Sequence, residues 1–122
     1  MHDSHPLYSP TKDFILNLGG DVIEKTTAMT RNTFEMDFGN RTAAFAKIWD
    51  KTFQLEIYAR LQLRPEDIVE DFTSDRRDDG NKYRYPAKII IRNEDDLKRA
   101  KPLLKRAYER RKQEGPGGTP PL

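Results

Sequence analysis

Cysteine is absent from this 122-residue chain. No disulfide framework, thiolate zinc site or thiol nucleophile can therefore be built from it. Long apolar runs are also missing, and no stretch approaches the ~20 residues a helix needs to cross a bilayer. An excess of one charge is lacking too. Twenty-two Lys and Arg face twenty Asp and Glu, a formal net charge of +2, which is too small to imply a polyanionic partner by itself. Histidine occurs only at His2 and His5, so no Ser-His-Asp arrangement can be assembled in the body of the chain. The opening residues show no basic region followed by an apolar run, and no secretory signal is expected. A chain without cysteine suits a reducing, cytoplasmic setting.

What is present suits one domain with one core. Charged residues make up 34% and aromatics 10% of the chain, so the surface is well solvated and the core can include large side chains. Residues 1–8 read as a flexible lead, 9–112 as a single domain and 113–122 as a disordered Gly/Pro-rich tail. Ser9-Pro10 reads as an N-cap with proline at the first helical position, and Phe14, Ile15 and Leu18 follow at helical spacing. Gly19-Gly20 ends that helix. Asp21 with Glu24 forms a capping box for a second short helix carrying Val22 and Ile23.

The period then changes to two. Phe34, Met36 and Phe38 alternate with Glu35 and Asp37 as in a half-buried strand, and Gly39-Asn40 suits a two-residue hairpin turn. The returning strand, 42–49, places Ala44, Ala46 and Ile48 on one face and Phe45 and Trp49 on the other. After Asp50-Lys51, the residues Phe53, Leu55, Ile57, Ala59, Leu61 and Leu63 give the cleanest alternation, with Gln54, Glu56, Tyr58, Arg60 and Gln62 facing water or a ligand. Residues 64–82 read as loop with one helical turn near Pro65. Tyr83, Tyr85, Ala87, Ile89 and Ile91 form a fourth strand, with Pro86 marking an edge position or bulge. Asn93 caps a last helix with Glu94, Asp95 and Asp96 in its first turn. Leu97, Ala100, Leu104, Ala107 and Tyr108 form its apolar stripe, and Pro102 should kink it. The expected fold class is α+β: N-terminal helices, a four-stranded antiparallel sheet, and a C-terminal helix packed on one sheet face.

From about Asp21 to Arg110 the chain resembles a bacterial and archaeal domain family of unknown function whose members are often labelled "predicted transport protein". The likeness rests on Asp21-Val22-Ile23-Glu24-Lys25 with Thr27, on the strand pattern from Phe34 to Leu63, and on Asn93-Glu94-Asp95-Asp96-Leu97 followed by Leu103-Leu104-Lys105-Arg106-Ala107-Tyr108-Glu109-Arg110. The family is found alone or behind restriction-endonuclease-like domains. The resemblance therefore implies the same α+β layout and the company of nucleases, but no catalytic residues. This chain departs from the family at Asp78-Asp79-Gly80-Asn81-Lys82, where relatives commonly carry a Gly-His-Trp-Gly-like loop.

Chemistry can be placed at few positions. His2, Asp3 and His5 could bind a metal weakly, but they sit in a segment without ordering signals and read as a stray pair. Glu35 and Asp37 on one strand, with Lys47 on its hairpin partner, resemble half of a nuclease site. The acid two residues before Lys47 is missing, since position 45 is Phe, and a solvated strand face accounts for the rest. Gly19-Gly20 lacks the spacing and the Lys-Ser/Thr of a phosphate loop. The remaining candidate is a surface, formed by Lys47, Trp49, Tyr58, Arg60, Arg84 and Lys88, where rings beside cations can stack bases and neutralise phosphates. Tyr83 and Tyr85 share the phase of Ile89 and Ile91 and are expected in the core. Composition and motifs thus point to a non-enzymatic binding or interaction module, with no metal or cofactor and no membrane. A nucleic-acid-binding accessory domain and a small-molecule-binding protein are the alternatives.

Overall fold

The computed structural model describes residues 5–28, 31–75 and 85–115. The expectations for His2, Asp3, Asp78–Tyr83, Arg84 and the tail from Pro116 lie outside them. Helix α1 (Tyr8–Leu16) is followed by strands β1 (Val22–Ala28), β2 (Arg31–Asp37), β3 (Thr42–Asp50) and β4 (Leu55–Ala59). A 3₁₀ turn (Pro65–Asp67), strands β5 (Thr73–Asp75) and β6 (Ala87–Ile91), and helix α2 (Glu94–Glu114) complete the order. The strands form one antiparallel sheet in the order β1-β2-β3-β4-β6-β5. The fold is α+β as expected, but among the described residues the sheet has six strands rather than four, and one N-terminal helix precedes it rather than two.

The extra strands arise where local signals were short. Val22–Ala28 pairs with β2 from Val22↔Met36 to Ala28↔Arg31. Val22, Ile23, Thr26 and Thr27 are β-branched and stiff at χ1, which favours the pleated conformation over a one-turn helix. Asp21 does not cap a helix. Its carboxylate accepts a 2.7 Å hydrogen bond from the Tyr108 hydroxyl, and its carbonyl accepts one from the Asp37 amide. Strand β5, only three residues long, pairs with β6 from Thr73↔Ile89 to Asp75↔Ala87. It places β6 inside the sheet, so Pro86 marks neither an edge strand nor a bulge. It lies just ahead of β6, fully buried.

The core lies between the sheet and both helices. Phe34, Ala46, Ile48, Leu55, Ile57, Ala59, Ala87, Ile89 and Ile91 share one face through the register pairs Phe34↔Ala46↔Ala59↔Ala87, Ile48↔Ile57↔Ile89 and Leu55↔Ile91. They form one apolar cluster with Ile15 of α1 and with Leu97, Ala100, Leu103, Leu104, Ala107 and Tyr108 of α2. Each large aliphatic side chain buried there contributes about 1.5–3 kcal/mol. The stripe on α2 is as its spacing predicts. Its cap is too, since Asn93 Oδ1 accepts from the Asp96 amide at 2.9 Å and Asp96 accepts in return from the Arg92 amide at 3.0 Å. Pro102 lies inside α2 on its exposed side, and the helix continues through it.

Several details depart from the sequence pattern. Phe45 turns to the core rather than lying with Trp49. Phe34 pairs with Ala46 while Glu35 pairs with Ala44, so Phe45 is the extra residue of a β-bulge. Its ring meets Tyr108 edge-on at 5.7 Å. Phe53 is 75% exposed in the loop before β4, and Leu61 and Leu63 are buried beyond the end of β4 without belonging to a strand. Helix α1 starts at Tyr8 without a side-chain cap, so Ser9 is not its N-cap. His5, expected in an unordered lead, is buried. Its Nδ1 accepts from the Leu7 amide at 3.0 Å, and its own amide donates to the Asp50 carboxylate at 3.2 Å. Gly19 ends no helix either, as Asn17 is the C-cap of α1. A Cβ at Gly19 would run into the Tyr108 hydroxyl and the Asp21 carboxylate, so close approach is what this glycine permits.

Candidate functional site: the open face of the sheet

Because both helices pack on one face, the alternation of the strands leaves the other face uncovered by any described helix. Two cross-strand rows organise it. One runs Arg31↔Trp49↔Glu56↔Ile90 across β2, β3, β4 and β6. The next runs Thr33↔Lys47↔Tyr58↔Lys88↔Ser74 and reaches β5. Four of the six residues expected at a binding surface, Lys47, Trp49, Tyr58 and Lys88, are thus brought together. Arg84 lies outside the described residues.

The hub of this face is Glu56, which a reading for cations and rings misses. It is 6% exposed although no described helix lies over it. Tyr58 Oη donates to Oε1 at 2.8 Å and Gln54 Nε2 to Oε2 at 3.0 Å. Lys51 and Lys88 approach to 3.6 and 3.7 Å. Burial would raise the Glu56 pKa, but the hydrogen bonds from Tyr58 and Gln54, then the charges of Lys88 and Lys51, outweigh it and hold the carboxyl below the ordinary glutamate value. The alternation Gln54-x-Glu56-x-Tyr58 was enough to place the three on one face. The lysines that complete the group need the register to be known.

Cations also cover the rings. Lys51 Nζ lies 4.2 Å and the Arg31 guanidinium 5.0 Å from the Trp49 ring centroid. Lys47 Nζ lies 5.5 Å from Tyr58 and 5.2 Å from Tyr85. Tyr85 is buried as expected, but at the end of the open face rather than in the apolar core, since it shares a cleft with Ala44, Arg60 and Arg111. Long side chains laid flat over one another bury their stems and rings while the charges stay near water.

Arg60, expected among the exposed binding residues, is 6% exposed. It grips Glu114 of α2 in a two-pronged pair, Nε to Oε1 at 3.0 Å and Nη2 to Oε2 at 3.3 Å. Arg111 stands 4.0 Å from the same carboxylate. Burial, and then the like charge of Arg60, pull Arg111 below the ordinary arginine value, with Glu114 opposing them. The four residues of the cleft enclose about 230 Å³. Arg60 therefore ties the end of β4 to the last turn of α2.

The acidic pairs are occupied structurally. Glu35 takes Lys25 at 3.1 Å and the Thr42 hydroxyl at 2.5 Å, and Asp37 accepts from the Gly39 amide. Asp67 accepts from the Arg64 amide at 2.8 Å and from Arg106 at 3.0 Å. Among the described residues no group of three His, Asp or Glu side chains could hold a metal ion, and no helix is long and apolar enough to cross a membrane. No family model, no curated protein and no solved structure matches the chain.

Proposed function

We propose that the chain is a non-enzymatic binding module that receives a macromolecular partner, in the first place a protein, on the open face of its sheet. The observation carrying this reading is the pair of cross-strand rows from Arg31 to Ile90 and from Thr33 to Ser74, displayed on a face that neither helix covers. Rigid strands hold Trp49 and Tyr58 with their flanking cations, the kind of aromatic and basic anchors on which interfaces depend. Glu56 favours a protein over a polyphosphate here. It draws Lys51 and Lys88 inward, so the face is partly neutralised from within and its mixed polarity matches an ordinary protein contact.

Nucleic acid is the second reading. Trp49 and Tyr58 carry cations at stacking distance, the combination that single strands use. The resemblance of Asp21–Arg110 to a family found behind restriction-endonuclease-like domains supports the same reading. A photo-crosslinking residue placed at Trp49, with an exposed control at Lys98 on α2, tests both. Adducts from Trp49 alone that survive nuclease treatment of the lysate support the protein reading. Adducts lost on nuclease treatment support the second, which then requires an oligonucleotide affinity falling steeply with salt. Equal adducts from both positions, or none from Trp49, overturn the open-face assignment.

A further inference from the structure

We propose that a groove between the Leu61–Pro65 segment and the C-terminal half of α2 is a site for a small organic oxyanion, gripped by Arg64, Arg106 and Arg110. The groove encloses about 590 Å³, within the range of small-molecule sites. Leu61, Leu63 and Pro65 give it an apolar wall, and Gln62 and Gln113 add amides. None of the open-face residues lines it, so this site stands apart from the protein-binding reading.

Its charge is unbalanced. Three arginines line the groove with one acid, Glu109. With Arg106 paired to Asp67, Arg64 and Arg110 still outnumber it. The nearby Asp67 is already committed, since its Oδ2 accepts from both the Arg64 amide and Arg106 Nη1. That shared acceptor ties the Arg106 guanidinium of α2 to the backbone at Arg64.

Arg110 is the group the fold does not account for. It is half-buried, and its Nε is closed off from solvent with no hydrogen-bond partner among the described residues. Helix polarity explains a cation near this end of α2, but not an Nε–H buried without a hydrogen bond, which is costly to leave unmade. Its Nε edge is buried, and Arg64 and Arg106 line the same groove. A phosphate or carboxylate can take hydrogen bonds from the open edge of a planar guanidinium fork and would balance the excess charge, while the body of the ligand rests on Leu61, Leu63 and Pro65.

The test is a titration of the ¹⁵N-labelled full chain with AMP, benzoate and, as the uncharged control, adenosine, following the arginine Nε–H signals and the amides of α2. A saturable shift of the Arg110 signal with AMP or benzoate but not adenosine is expected, and the stronger of the two identifies a phosphate or a carboxylate as the natural head group. Arg110→Gln should weaken that binding about tenfold, and Lys105→Gln, on the exposed side of the same helix, should leave it unchanged. If Arg110→Gln fails to fold, Arg64→Gln at an exposed position should weaken binding in its place. Absence of a saturable shift with both anions at millimolar concentration overturns the proposal, as does unchanged affinity in a folded Arg110→Gln protein.

Discussion

The two faces of the sheet are built by the same strands, and alternate residues of each strand belong to opposite regimes. On the helix side Ile48, Leu55, Ile57, Ile89 and Ile91 are wholly buried by α1 and α2. On the open side Thr33, Glu56 and Tyr58 are 6–8% exposed, nearly as buried, yet no described helix covers them. The first face is closed by another layer. On the second, the contacts among described residues are those of its own side chains, with Lys51, Lys88 and Tyr58 at the Glu56 carboxylate and cations beside the Trp49 and Tyr58 rings. Burial alone therefore does not separate core from surface in this protein. What separates them is the source of the cover, and cover made of a face's own side chains can be displaced by a partner at small cost.

The sharpest way to break this comparison is to remove volume from the covered side. Ile57→Ala should cost about 2–5 kcal/mol in denaturant unfolding, because the hole between β4 and α2 cannot fill with water or with a mobile neighbour. On the open side, Glu56→Gln should cost about 1–3 kcal/mol, since it keeps the shape but removes the acceptor charge for Tyr58, Lys51 and Lys88. Its pH signature is also distinct. The Glu56 pKa is depressed in the fold, so its contribution is present above the ordinary glutamate value and lost as pH falls through the folded value. The acid limb of a stability–pH curve should be shallower in Glu56→Gln than in the parent.

The same comparison explains what could be read from residue order and what could not. Phe34 and Met36, the capped α2 with its Leu97–Tyr108 stripe, and the core phase of Leu55, Ile57, Ile89 and Ile91 were legible because each repeats a strong period. The start of β1 was not, since the four residues from Asp21 to Glu24, with an acid at either end, satisfy a capping box as well as a strand. Only pairing with β2 and the Tyr108 hydroxyl on Asp21 decide it. β5 is too short to show a period. Phe53 and Arg60 follow the alternation of their neighbours but lie beyond the paired residues of β4, where phase no longer dictates facing. For the candidate site, Lys47, Trp49, Tyr58 and Lys88 were legible as strand residues of one parity, whereas the hub role of Glu56 depends on its neighbours across two strands.

Two smaller effects sharpen the contrast. Burial first, and then the Asp21 carboxylate, push the Tyr108 hydroxyl up to about 12. A tyrosine whose folded pKa is raised contributes stability that is complete below its ordinary value and lost as pH climbs toward the folded one. Tyr108→Phe should cost about 1 kcal/mol near neutrality and flatten the alkaline limb of the same curve. Lys88→Gln, on the open face, should change stability by no more than about 0.5 kcal/mol. Thermal unfolding of the two variants side by side checks the order, and a larger loss for Lys88→Gln would mean that the open face is as tightly knit as the covered one.

The odd residue in β3 reaches further than its own strand. Because Phe45 is surplus to the ladder, its ring swings beneath α2 and meets Tyr108, whose hydroxyl in turn holds the start of β1 through Asp21. One supernumerary position thus acts as a rivet joining the first strand, the third and the final helix. Excising Phe45 to straighten the hairpin would leave the ladders in place and take away the ring on which Tyr108 rests.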